Sequence, residues 1–477
     1  MAKREGIGYF ARFGVTERWI AEALAEALSR GADHADVFFQ HRVSTSLALQ
    51  DGAVNRAFQG VSLGVGVRAV KGDQQGYGFT EDLSPEALRE CARTAAAIAD
   101  GPARPGPQAF HVSPRPARYP VQRPWSQVRP EERLPLLSAL NERAFAADPR
   151  MVKVSVSLSD GEGAILVADS QGRIVEDDQP MTTLALSCVA EQGGRRETGG
   201  YNVAGRAGFE FYGPDRLDRL VHRAVERTLL LFEAVPAPVG EMPVVLAAGS
   251  SGILLHEAIG HGMEADFNRK NTSIYADRIG KPVARPFVSI VDDATVPGAR
   301  GAINVDDEGN AAGRTVLVEN GVLATYLHDA ISARHYGVVP TGNGRRESYQ
   351  HAPLPRMRAT YMLPGPHRHD EIVASVKRGL YCDHFQNGQV NIGAGDFTFY
   401  VKSGWLIEDG KRTRPVKDVN IIGNGPRVLE QVDMVGDDLV VDEGGWTCGK
   451  DGQSVPVSQG MPTVRVASLT VGGQGKG

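Results

Sequence analysis

The sequence predicts an α+β fold, with an N-terminal α/β part of mixed sheets and flanking helices followed by a β-rich C-terminal part. Three observations predict it. Helix-period stretches alternate with β-like runs over the first half, two proline-rich connectors interrupt the chain, and beyond Gly240 the composition shifts to glycine and short strands. At 477 residues the chain also exceeds what one hydrophobic core usually supports. Three units are therefore expected, at residues 1–115, 116–236 and 237–477.

Residues Thr16 to Arg30 place Ile20, Leu24, Ala27 and Leu28 at helical spacing, with Gly31 where a C-terminal cap belongs. Short β-like runs follow at 37–39, 46–49 and 61–70, punctuated by Asp51-Gly52 and Lys71-Gly72-Asp73. They read as a meander. Ser84-Pro85-Glu86 supplies an N-cap, a first-turn proline and a first-turn acid for a second helix through about Ala99. Eight prolines between Gly101 and Pro130 mark the first connector. Beyond it come a helix over 130–147, strands at 152–156, 165–167 and 182–190, and a long helix over 214–233. The second connector is Val235-Pro236-Ala237-Pro238-Val239-Gly240.

With 42% hydrophobic and 23% charged residues, the composition is that of an ordinary globular protein, and no apolar run is long enough to span a bilayer. Met1 to Gly6 are not followed by an apolar stretch with a small-residue cleavage pattern, so a cytoplasmic location is expected. The net charge of −5 with scattered basic residues argues against nucleic acid as a partner. Cys91, Cys188, Cys382 and Cys448 form no CxxC pair, which argues against a disulfide scaffold or a zinc ribbon.

The chemistry concentrates at His256-Glu257-Ala258-Ile259-Gly260-His261. Residues 242–248 read as a buried strand, 249–251 as a turn and N-cap, and 253–263 as a helix. Imidazole suits Zn²⁺, and a glutamate beside the first ligand is placed to take a proton from a water that the ion has made more acidic. The histidines stand five apart, whereas the familiar HExxH pattern uses four. On an ideal helix five residues turn through about 500°, leaving the rings roughly 140° apart. A π-type turn would realign them, so a distorted helix is expected at 259–261, with Gly260 as its natural place. The alternative is a pair of packed or solvated histidines.

The run from His256 to Lys270 resembles the signature of the TldD/PmbA metallopeptidases. So do Pro340 to Ser348, Gly388-Gln389-Val390 and Cys448 to Val457. The resemblance is specific from about Met242 to Val471 and weaker before that. It implies a C-terminal β-rich, barrel-like domain carrying the metal-binding helix. It implies one zinc per catalytic subunit, held by His256, His261 and Cys448, with Glu257 as general base. Two histidines leave a catalytic zinc site one protein ligand short, and Gly444 to Lys450 is flexible enough to approach an ion, with Lys450 expected to favour the thiolate. The activity implied is hydrolysis of small, unfolded or modified peptides. The partner implied is a homologous PmbA/TldE-like subunit lacking the histidine motif, or a second copy of the chain.

Arg345 and Arg346 are the candidate substrate-binding pair, able to hold a carboxylate or simply to form a surface ion pair. Cys382 and His384 are open to a second metal site, a nucleophilic thiol or plain burial. Asp306-Asp307-Glu308 resembles a hard-cation site, although turn chemistry favours the same residues. Two functional classes remain, a zinc peptidase and a non-catalytic assembly or regulatory protein.

Overall fold

The computed structural model describes residues 7–473; the run Met1 to Gly6, on which the reading of the N-terminus rests, lies outside them. Four long helices form where the sequence places them. The first, α1 (Glu17–Leu28), is capped by Thr16, whose hydroxyl accepts the Trp19 N–H, and α2 (Pro85–Ala96) by Ser84 in the same way. The other two are α3 (Pro130–Ala147) and α4 (Pro214–Glu233).

The strands β1 (His34–Gln50), β2 (Ala53–Lys71), β3 (Gln74–Thr80), β4 (His111–Val112), β5 (Met151–Asp169), β6 (Arg173–Asp178), β7 (Met181–Gln192) and β8 (Arg195–Gly205) make one eight-stranded sheet. Its path runs β3-β2-β1-β5-β6-β4, and β7 joins β5 to β8. The expected units 1–115 and 116–236 thus share one sheet, because β1 pairs with β5 from Asp36↔Asp169 to Gln50↔Ser155. Two cores cover it. Ile20, Leu24, Leu88 and Ala92 pack on β1–β3, while Leu137, Leu140, Leu220 and Ala224 pack on β5, β7 and β8.

The short runs expected around residues 37–70 are pieces of two strands joined in one continuous ladder, from His34↔Val70 to Gln50↔Ala53. The hairpin turns at Asp51 (φ 49°) and Gly52 (φ 81°), the left-handed pair a two-residue hairpin favours. Residues 51–59 carry no apolar alternation because they are exposed.

In the C-terminal region β9 (Gly240–Leu246), β10 (Arg378–Val390), β11 (Asp396–Glu408), β12 (Lys411–Asn424) and β13 (Val464–Gly473) close on themselves. The β9–β10 pairing is parallel; β10–β11, β11–β12, β12–β13 and β13–β9 are antiparallel. The result is a five-stranded barrel, a closure that removes sheet edges. Phe385, Phe397, Phe399, Val401 and Ile421 fill it from the strands, and Leu254, Leu255 and Ile259 enter from the segment that carries the histidines. Beside it lie a six-stranded sheet and a two-stranded hairpin, Thr447–Lys450 with Gln453–Pro456.

Candidate metal centre

The chain leaves β9 through Gly249, whose φ of 96° suits glycine, and enters a 3-10 turn at Ser250–Gly252. A single α turn, Ile253–Leu255, leads into a π-helix over His256–Gly260, and a second 3-10 turn covers His261–Met263. The distortion expected at 259–261 is therefore a π turn beginning three residues earlier. Gly260 itself has ordinary helical angles, φ −55° and ψ −52°. Its missing side chain is required by packing instead, since a Cβ there would stand 1.9 Å from Met357 Sδ.

The π turn brings the two imidazoles together, with centroids 5.1 Å apart and planes at 88°. The hairpin at 447–456 adds Cys448, whose Sγ lies 3.4 Å from His261 Nε2. Donor atoms of His256, His261 and Cys448 all lie within 4.8 Å of one another, and all three residues are buried. Around a tetrahedral zinc, with bonds of about 2.0–2.3 Å, such donors sit roughly 3.3–3.8 Å apart. The donor types suit the ion, and the 3.4 Å between Cys448 Sγ and His261 Nε2 falls within that range. Buried His256 Nδ1 has no hydrogen-bond partner among the described residues.

Around these donors lies an ionic network that the sequence reading did not find. Glu264 Oε2 stands 3.0 Å from His261 Nδ1, which turns the ring so that Nε2 faces Cys448. Lys450 Nζ reaches Glu264 Oε2 at 3.1 Å and Asp266 Oδ1 at 2.7 Å. The ammonium expected beside the Cys448 thiolate is thus spent on two carboxylates. On a strand, residues two apart share a face, so Lys450 follows Cys448 towards the histidine segment. The three-residue step from His261 to Glu264 was the available sequence signal.

Burial alone would lower the acidity of Cys448, but His256 and His261, by charge and hydrogen bond, hold its pKa well below the ordinary thiol value. Burial opposes protonation of His261, yet Glu264 and Cys448 raise its pKa well above the usual imidazole range. Glu264 resists its own burial through Lys450 and His261 and is held at about 2. A cation among the donors would replace these protons. Glu257 is partly buried, and burial raises its carboxyl pKa, the direction a proton acceptor near neutrality needs. Its Cγ lies 3.5 Å from where a Cβ on Gly388 would stand. The Phe399 ring, 2.3 Å from that position, is what requires the glycine, and β10 passes beside the Glu257 side chain there.

The remaining candidates separate from this cluster. Arg345 donates from Nη1 to Met357 O at 2.6 Å and from Nη2 to Pro456 O at 2.8 Å. Arg346 donates to Asp307 O at 2.8 Å and stands 3.6 Å from Asp36. Both are buried and hold the protein's own groups. Cys382 is fully buried and its thiol pKa is pushed up; burial holds His384 down at about 3. Asp306 accepts the backbone N–H groups of Glu308, Asn310 and Gly344 around Gly309 (φ 77°), which is turn chemistry.

Three sequence-family models match the chain: PmbA/TldA metallopeptidase domain 1 over residues 35–99, the central domain over 123–232 and the C-terminal domain over 239–473. A Haemophilus influenzae protein named metalloprotease TldD homolog is 41% identical over 453 residues, covering 93% of this chain and 94% of its own. A Methanothermobacter thermautotrophicus metalloprotease is 33% identical, covering 92% and 96%. The fold matches that of TldE from Thermococcus kodakarensis, with TM-score 0.73, 18% identity and coverage of 93% and 97%. The class is thereby defined as metallopeptidase. Within it, the chain belongs to the PmbA/TldD family.

Proposed function

We propose that this chain is a zinc-dependent peptidase that cleaves small, unfolded or modified peptides. The observation that carries the reading is the convergence of His256, His261 and Cys448 with Glu257 beside them. His256, His261 and Cys448 hold the ion, one per chain. When bound, it supplies Lewis acidity to a water and to the scissile carbonyl. Glu257 takes the proton from the attacking water and returns it to the leaving amine. Glu264 keeps His261 oriented, and Lys450 keeps Glu264 ionised and in place.

Substrate capture is supported by the edge beside Glu257. From His384 to Val390, β10 is laddered to β11, whereas its pairing with β9 covers only Leu380 to Cys382. Gln386, Asn387 and Gln389 are exposed on that stretch. An extended peptide added to this edge runs past the carboxylate. An unfolded chain can supply an extended strand along its whole length, which supports a preference for unfolded peptides.

The proposal includes a chamber closed by a TldE-like partner or a second copy, and a cytoplasmic location. No helix among the described residues is long and apolar enough to cross a membrane. Arg345 and Arg346 enter this reading as the charged wall of a neighbouring cavity. The test is digestion of a disordered protein, with fragments identified by mass spectrometry. Fragments that vanish with chelator and return with zinc support the activity, and fragments indifferent to chelator refute it. A protein that binds zinc stoichiometrically yet cuts nothing, alone or with its partner subunit, would favour an assembly role.

A further inference from the structure

Residues on a β-hairpin alternate between its two faces, so the hairpin bearing Cys448 has a second face, carrying Thr447, Ser454 and Pro456. These three line a cavity of about 260 Å³ between the hairpin, the large sheet and the segment around Arg300. Its walls hold five arginines, Arg42, Arg206, Arg300, Arg345 and Arg346, against two acids, Asp307 and Glu347. Both acids are engaged. Asp307 Oδ2 accepts the Arg346 N–H at 2.8 Å, and Glu347 Oε2 accepts the Ser454 N–H at 2.6 Å.

Among the described residues Arg300 has no acidic partner, and Arg206 shares Asp307 with Arg345 and Arg346. Arg206 is 4% exposed, and its buried Nε has no hydrogen-bond partner among the described residues. The nitrogens of Arg300 donate only to neutral groups: Nε to Trp446 O at 2.9 Å, Nη1 to Thr183 Oγ1 at 3.2 Å and Nη2 to Thr447 Oγ1 at 3.4 Å. Arg345 likewise donates to two backbone carbonyls. Burial and then the charge of Arg206 push Arg300 down to about 10 and Arg345 down to about 9. A guanidinium keeps its proton under such pressure, so the uncompensated charge is relieved by an anion.

We infer that this cavity is a binding site for a small oxyanion, a phosphate or a peptide carboxylate, held by Arg206 and Arg300 behind the Cys448 hairpin. A guanidinium meets either group with paired N–H donors, and the volume exceeds several times the roughly 30 Å³ occupied by one water. Because Arg300 also holds Trp446 O and Thr447 Oγ1, an anion between the arginines fixes the strand that presents Cys448. The site does not depend on the peptidase reading.

Thermal unfolding and titration calorimetry test it on the zinc-loaded protein in a buffer without multivalent anions. The probes are inorganic phosphate, a short peptide with a free C-terminal carboxylate and the same peptide as its amide. The expected result is saturable one-to-one binding of phosphate or of the acid peptide, at least tenfold tighter than the amide, and abolished in Arg300→Gln. Phosphate binding alone identifies a free anion as the ligand, and acid-peptide binding alone identifies a chain terminus. Arg206→Met is the second variant. Removing this buried charge should erase the rise in Tm that the probe gives the wild type. Absence of saturable binding by both probes, or binding unchanged in both variants, overturns the proposal.

Discussion

The backbone N–H of His261 donates to the carbonyl of His256. The five-residue hydrogen bond that defines the π turn therefore runs between the two candidate ligands themselves. An α-helical bond would splay the rings around the axis, and this one sets them edge to face where Cys448 meets both.

The π turn is packed in place at Gly260. Gly260→Ala should destabilise the protein by about 1–3 kcal/mol, the usual cost of overpacking a dense core. Urea unfolding measures this, and Met357→Ala in the same chain should recover part of the loss, because Met357 Sδ is the obstructing atom.

Cys448→Ala should purify with substantially less zinc than the wild type and be inactive. Elemental analysis reads the first effect. Cys91, Cys188 and Cys382 are buried away from the donor cluster, so their alanine variants should keep their metal.

Glu257→Gln should retain zinc and lose about 10²–10⁴-fold in kcat, the range for a general base. The side chain keeps its shape and loses its proton affinity. Near-normal turnover would transfer the role to another carboxylate.

Much of this account is visible in the residues. The four long helices lie where caps and periodicity put them, since Thr16, Ser84 and the first-turn prolines act locally. The five-residue histidine spacing required a distorted helix. What stayed hidden is non-local or polar. The outer half of β2 and the glycine-rich β8 lack apolar alternation, and barrel closure by β12 and β13 joins residues about 50 apart. Lys450 was expected beside the thiolate because sequence shows that it follows Cys448. Only the fold shows that Glu264 and Asp266 reach it first.

Glu264→Gln should weaken zinc affinity about 10–100-fold by freeing the His261 ring. It should also change the acid stability of the metal-stripped protein. The pKa of Glu264 falls from 4.5 to about 2 on folding, so its ionised form stabilises the fold above 4.5, and that contribution is lost as pH falls towards 2. Urea midpoints between pH 6 and 3 should therefore fall less steeply in Glu264→Gln than in the wild type.

The central claim is that one zinc bridges the π turn and the hairpin. X-ray absorption at the zinc edge of the purified protein tests it most directly. The account predicts a first shell containing sulfur at about 2.3 Å together with nitrogen at about 2.0–2.1 Å, with the sulfur lost in Cys448→Ser. A zinc shell of nitrogen and oxygen alone in the wild type, unchanged in Cys448→Ser, would contradict it.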